Sequence, residues 1–140
     1  MSEHWYIIAD DFTGSGDSAV QFRTADCPAR LVISDSALAE AANCRSATVI
    51  DTDSRFLSPD QAYAKVFEVV RRLIAAGARL IFKKLDSTLR GQISDEIAAV
   101  MDGGGYDCAL VCPAAPRNAR VVSGGFCIVD GEPIGSRDAM

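Results

Sequence analysis

The sequence predicts an α/β domain: a mainly parallel sheet of five or more strands with helices on both faces, a Rossmann-like three-layer arrangement, followed by a C-terminal β-hairpin. Three observations carry that prediction. Short apolar runs recur along the chain without polar alternation, which marks strands covered on both faces. Segments of helical periodicity stand between them. Most of the runs end abruptly in charged, hydroxylated and glycine-bearing clusters, as strands of such a sheet do where they feed binding loops.

Trp5-Tyr6-Ile7-Ile8-Ala9 reads as the first strand, stopped by the polar turn from Asp10 to Asp17, and residues from about Ser18 to Thr24 fit a following helix. Arg30-Leu31-Val32-Ile33 is the second strand, ending at Ser34-Asp35, with a small alanine-rich helix from Ala37 to about Ala42. The third strand, Ala47-Thr48-Val49-Ile50, runs into Asp51-Thr52-Asp53-Ser54-Arg55. The next helix has the clearest signals: Ser58 as N-cap, Pro59 at the first helical position and Gln61 completing a capping box. Its stripe is Ala62, Val66, Val70, Leu73 and Ile74, and Gly77 supplies a left-handed stop.

Leu80-Ile81-Phe82 forms the fourth strand and empties into Lys83-Lys84-Leu85-Asp86-Ser87-Thr88-Leu89-Arg90-Gly91. A helix beginning near Gln92 follows through Ile93, Ile97, Val100 and Met101, closed by Gly103-Gly104-Gly105. Cys108-Ala109-Leu110-Val111-Cys112 is the expected fifth strand, leaving through Pro113 to Arg120. Asp130-Gly131, flanked by Phe126–Val129 and Glu132–Ile134, is a hairpin signal.

The chain of 140 residues fits one domain, 1–140, with one core. A net charge of -5 argues against a general nucleic-acid binder. No apolar stretch reaches membrane-spanning length and no signal peptide is recognisable, so a cytoplasmic protein without membrane contact is expected. Five cysteines, Cys27, Cys44, Cys108, Cys112 and Cys127, form no CxxC pair and have no histidine beside them. They read as small buried hydrophobes in a reducing compartment, and no metal site is expected.

The stretch from Lys83 to Gly91 carries the densest chemistry. The plain reading is that Asp86, Ser87 or Thr88 caps the next helix, but capping needs only one of them. Brought to one rim by the sheet, the strand ends would gather carboxylates (Asp10, Asp11, Asp53, Asp86), cations (Arg55, Lys83, Lys84, Arg90, Arg120) and hydroxyls (Thr13, Ser54, Ser87, Thr88). Arginine forks match a carboxylate and aspartates accept from sugar hydroxyls, so a small polyhydroxylated acid would use both. The alternative is that these charges pair with one another across neighbouring loops. Gly14, Gly16 and Gly91, which permit close backbone approach, favour a ligand. Within that reading Arg90 and Arg55 are candidates for the carboxylate, Lys84 adds a point charge, and Asp11 and Asp86 read hydroxyls.

Asp10-Asp11-Phe12-Thr13-Gly14, Thr52-Asp53-Ser54-Arg55, the Lys83 to Gly91 block and Pro113-Ala114-Ala115-Pro116 resemble, in order, the N-terminal motifs of the four-carbon acid sugar kinase family. The likeness extends from about Tyr6 to Ile134, and the Lys83 to Gly91 block is its most specific part. It implies the sugar-acid-binding part of a two-domain kinase of threonate, erythronate or oxo-tetronate type acids, with ATP and Mg²⁺ held by a C-terminal domain. By the same resemblance Asp11, Arg55, Lys84, Asp86, Ser87 and Arg90 contact the substrate, while no catalytic residue is assigned. The chain departs from the family at Ser15-Gly16-Asp17 and at Ala119, where a glycine is usual before Arg120. The resemblance also implies that the ATP-binding domain is absent and that 1–140 is an incomplete substrate domain. Gly14-Ser15-Gly16 lacks the Gly-Lys-Ser/Thr ending of a Walker loop, so this chain alone is not expected to bind ATP. Self-association into a homo-oligomer is left open, as is a stand-alone acid-binding module. A signalling receiver domain is the rival from another class, with Asp10, Asp11 and Asp51 or Asp53 imitating its acids. Its lysine should follow strand five, whereas here the lysines follow strand four.

Overall fold

The computed structural model describes residues 4–23, 27–33 and 46–134. Strands β1 (Trp5–Ala9), β2 (Ala29–Val32), β3 (Ala47–Asp51) and β4 (Ile81–Lys84) form a parallel sheet in the order β2-β3-β1-β4. Tyr6 stands opposite Thr48 on one side and Ile81 on the other, and Ala9 opposite Asp51 and Lys84, so the three carboxyl ends finish level.

Alternation along these strands builds two cores. Ile7 and Val49 pack towards helix α1 (Phe12–Phe22), with Ala19 and Phe22 of that helix against them. Tyr6, Ile8 and Ile50 face the opposite layer, made by α2 (Pro59–Ala75) and α3 (Ile93–Gly104), whose Val66, Val70, Leu73 and Ala99 are buried with them. Ile7, Ile8 and Val49 are wholly buried, each worth about 1.5 to 3 kcal/mol relative to exposure. Both faces of β1 and β3 are covered, which is why their runs are almost wholly apolar.

Helix α2 begins and ends as its sequence dictates. Ser58 accepts from the Gln61 N–H and its own N–H donates to Gln61 Oε1, completing the box, and Gly77 turns the chain at φ +94°. α2 and α3 approach closely at Gly103, where a Cβ would lie 3.0 Å from Val70 Cγ1. α3 starts at Ile93 with Gln92 as N-cap and stops at left-handed Gly105. The Asp86 to Thr88 cluster lies well before that start and does not cap it.

Three expectations are corrected. Helix α1 begins at Phe12, six residues before the predicted Ser18, because Asp11 caps it; Gly14 and Gly16 lie inside the helix instead of marking a loop. Cys108–Cys112 is not a strand: among the described residues it has no ladder partner, and Leu110 is 99% exposed. An apolar, strand-like composition does not by itself supply an edge to pair with, and the described parallel sheet has four strands. Consequently Cys108 and Cys112 are exposed and Cys27 and Cys127 only partly covered, not the buried hydrophobes expected.

The C-terminal hairpin is present as β6 (Phe126–Val129) and β7 (Glu132–Pro133), turned by Asp130 and Gly131 at φ +52° and +88°. Positive φ at both central residues is what this turn type requires. A further strand, β5 (Arg120–Ser123), pairs with β6 across Gly124-Gly125 and makes a three-stranded antiparallel sheet. Among the described residues no helix is long and apolar enough to cross a membrane. The expected features at Thr24, Ser34-Asp35, Ala37 to Ala42 and Cys44 lie outside the described residues.

Candidate substrate site

The carboxyl ends of β1, β3 and β4 meet as predicted, and most of their charges are already paired. Asp11 Oδ1 accepts from the Gly14 N–H at 3.0 Å and caps α1. The buried Arg55, from the loop after β3, lays its guanidinium across both acids that follow β1. Nε and Nη2 donate to Asp10 at 2.7 and 3.0 Å, and Nη1 and Nη2 donate to Asp11 at 2.9 and 2.8 Å. Hydrogen bonding to Asp10, against the opposing effect of burial, raises the guanidinium well above its ordinary pKa. Gly91 makes room for this pair: at φ +93°, its Cβ would fall 3.3 Å from Asp10 Oδ2 and 3.4 Å from Arg55 Cγ. The close approach that favoured a ligand in the sequence thus also serves internal pairing.

Beneath this layer lies a buried network that the sequence reading missed. Glu96 of α3 is 2% exposed. Its Oε1 accepts from Ser54 Oγ at 2.5 Å and its Oε2 pairs with Lys83 Nζ at 2.6 Å. Ser54 in turn shares a 2.7 Å hydrogen bond with Thr52, whose hydroxyl donates to the Ala9 carbonyl at 2.8 Å. Lys83 therefore faces a structural carboxylate. The signal available in the sequence was Glu96 standing on α3's apolar stripe, three residues after Ile93 and four before Val100.

In the loop after β4, Asp86 accepts from Arg90 Nε at 2.8 Å, Arg90 Nη2 at 3.0 Å, the Arg90 N–H at 3.1 Å and Thr88 Oγ1 at 2.5 Å. Burial pushes the Asp86 carboxyl up, but these hydrogen bonds prevail and hold it well below the usual carboxylate range. Both arginines expected to meet a ligand carboxylate thus have their forks engaged by aspartates. Two cations differ. Lys84 Nζ donates to the Leu85 carbonyl at 2.5 Å, and Arg120 Nη1 donates to Ser87 Oγ. Among the described residues neither has a carboxylate partner.

A cavity of about 820 Å³ opens beside these groups. Asp11, Thr13, Arg55, Lys83, Lys84, Asp86, Ser87, Arg90 and Arg120 all line it. Asp10 lies buried beneath Arg55, Thr88 is turned onto Asp86, and Asp53 is exposed outside the lining. The lower part of the cavity runs between β4 and the Cys108–Cys112 segment and is mostly apolar.

A three-layer α/β domain with a level rim of cations, carboxylates and hydroxyls is, as a class, a binding domain for small polar ligands. The chain belongs to the four-carbon acid sugar kinase family, matching its "sugar-binding N-terminal domain" over residues 5–139. Similar proteins include the D-threonate kinase of Bordetella bronchiseptica, 44% identical over 91% of this chain and 33% of that protein. The D-erythronate kinase of Heliobacterium modesticaldum is 36% identical over 94% of this chain and 30% of its own length. The chain spans about a third of the length of these curated relatives. A crystal structure of a domain of unknown function from Bordetella bronchiseptica, a domain-swapped dimer with bound citrate, superposes with a TM-score of 0.86 at 40% identity, covering 98% of this chain and 36% of that one. A second crystal form gives 0.88. The receiver reading gives way to this family, and Asp51, its candidate phosphorylation site, accepts the Asp53 N–H at 3.0 Å in a local turn.

Proposed function

We propose that this domain is the sugar-acid-binding part of an ATP-dependent kinase acting on four-carbon acids of the threonate, erythronate or oxo-tetronate type. The observation that carries the reading is the pair of cations left over at the rim. Lys84 and Arg120 both line the cavity and meet only neutral oxygens among the described residues. A carboxylate entering there gains charge-assisted hydrogen bonds without displacing an internal ion pair. Asp11 Oδ2 and Asp86 Oδ1 each receive a single hydrogen bond in this rim and keep acceptor capacity for sugar hydroxyls. Arg55 and Arg90 then act by fixing those two aspartates, with Ser87 and Thr13 as neutral contacts. The relatives' names support the substrate class, and the citrate in the solved neighbours supports a site for hydroxylated carboxylic acids.

ATP and Mg²⁺ belong, in this reading, to a further part of a longer protein. The amino end of α1, a glycine-bearing helix start at the rim, is filled by Asp11: a Cβ on Gly14 would lie 2.6 Å from its Oδ1. A carboxylate in that position repels the phosphates a helix start otherwise attracts, so the residues present do not fit a nucleotide. Exchange of a segment between two copies is also part of the proposal, supported by the domain-swapped state of the solved neighbours. The test is an NMR titration with D-threonate and with threitol, its neutral polyol counterpart. The acid is expected to bind and the polyol not; equal affinity would mean that the rim cations do not read a carboxylate.

A further inference from the structure

β4 closes the parallel sheet on one side only: it is hydrogen-bonded to β1, and no described strand lies on its other edge. Its first half is apolar, with Phe82 45% exposed and Leu80 just before the strand 66% exposed, while the lysines of its second half are turned onto Glu96 and the Leu85 carbonyl. Natural edges are usually blunted by charge, proline or a bulge, because an open row of N–H and C=O groups recruits another strand. After β4, helix α3 returns the chain to the start of that strand, where the Tyr106 hydroxyl donates to the Arg79 carbonyl at 3.3 Å. A right-handed crossover would next lay a parallel strand against β4. The residues in that place, Cys108–Cys112, have the composition of one. Yet among the described residues none of their backbone groups is hydrogen-bonded, Leu110 is wholly exposed, and the cavity separates them from β4.

An unpaired strand and an unpaired edge in one chain are the two halves of a ladder. We propose that Cys108–Cys112 is an exchanged strand, which adds in parallel to the β4 edge of a second copy of this chain while that copy's segment returns the exchange. This rests on the exchange reading above and adds the element that moves and the edge that receives it. Gly103 and Gly104 still belong to α3, and Gly105, which ends that helix at φ +67°, supplies the hinge. A twofold exchange closes both open edges at once and covers Leu80, Phe82 and Leu110 of each copy. Residues beyond the segment follow it, so the Arg120–Ser87 hydrogen bond, made within one chain in this structure, would form between the two copies.

The experiment uses the whole chain with its five native cysteines replaced by serine. Phe82→Cys is introduced in one batch and either Leu110→Cys or Val111→Cys in another, covering both faces of the segment; batches are mixed, refolded together and mildly oxidised. Adjacent strands bring paired Cα atoms within disulfide range. A disulfide-linked heterodimer from one of the two mixtures is expected, together with a dimeric mass by light scattering. A third batch carries Phe82→Cys and the segment cysteine in one chain; if these join only within that chain, the segment closes on its own β4 and the proposal is overturned. A dimer that cross-links in neither phase keeps the exchange reading and overturns this strand as its element; a monomer at every concentration overturns both. In the native cysteine background, Leu110→Asp should raise the dimer dissociation constant at least tenfold, with the unfolding transition of the dissociated monomer unchanged because the side chain is exposed within a single chain. An unaltered dimer would also overturn the proposal.

Discussion

Around β1 and β3, Asp10 and Asp11 hold Arg55, and beneath them Glu96 holds Ser54 together with Lys83 of β4. On the β4 side, Lys84 and Arg120 reach only a carbonyl and a hydroxyl, and the strand edge below them is open. The first region is self-satisfied and mostly buried, so its charges act on structure. The second is left with donors to spare, which a carboxylate ligand would use in the proposed function. The contrast shows why residue type alone misassigns roles: two arginines look like better carboxylate readers than a lysine until their own aspartates are counted.

The largest effect should come from breaking the satisfied side. Arg55→Ala leaves Asp10, nearly buried, without its cation, and removal of one partner from a buried pair costs roughly 3 to 5 kcal/mol. Urea unfolding should show the midpoint falling accordingly. A loss under 1 kcal/mol would place Arg55 with the open side instead.

Removing a cation from the open side should do the reverse. Lys84→Ala is expected to weaken D-threonate binding by about one to two orders of magnitude, the worth of a hydrogen bond to a charged group, while the unfolding midpoint barely moves. Calorimetry of ligand binding beside urea unfolding separates the two. An unstable Lys84→Ala protein with unchanged affinity would erase the distinction.

The acid limb of the stability curve sharpens the comparison further. Asp86 is held below its unfolded value of about 3.9, so its contribution is complete above that pH and is lost as pH falls through the lower folded value. Unfolding midpoints measured at pH 5 and pH 2.5 should therefore drop more in the unmodified chain than in Asp86→Asn. Parallel drops would mean that the Arg90 and Thr88 hydrogen bonds do not persist in solution.

The smallest effect concerns the backbone at the cavity's edge. Ala119 sits at φ +53°, where a side chain is strained and the family resemblance anticipates glycine. Ala119→Gly relieves a left-handed conformation that costs an L-residue about 1 to 2 kcal/mol, against the entropy glycine adds to the unfolded chain. A net gain of roughly 0.5 kcal/mol in thermal unfolding is expected, with D-threonate affinity unchanged.

The parallel strands were legible because strands covered on both faces carry few polar residues to break the run, and α2 because its caps are local chemistry. Ser58, Pro59, Gln61 and Gly77 need no knowledge of the rest of the fold. What could not be read was pairing at a distance. Cys108–Cys112 has the composition of a strand, but whether an edge meets it is a tertiary fact. β5 was passed over because Val121 and Val122 are too short a run to stand apart from the Pro113 to Arg120 loop. That the candidate residues would gather was visible in the strand-end clusters, and nine of the twelve line one cavity. The division of labour among them was not, because it depends on which oxygen each cation reaches.

Glu96 has one oxygen on the loop after β3 and the other on the end of β4. A single rigid carboxylate therefore spans two motifs separated by 28 residues of sequence, counted from Ser54 to Lys83 exclusive. Neither motif can be displaced without tilting α3 or breaking a buried charge, so Arg55 and Lys84 behave as two teeth of one gear. The two motifs thus share one carboxylate beneath the rim, and Arg55 and Lys84 each stand one residue beyond the group it holds.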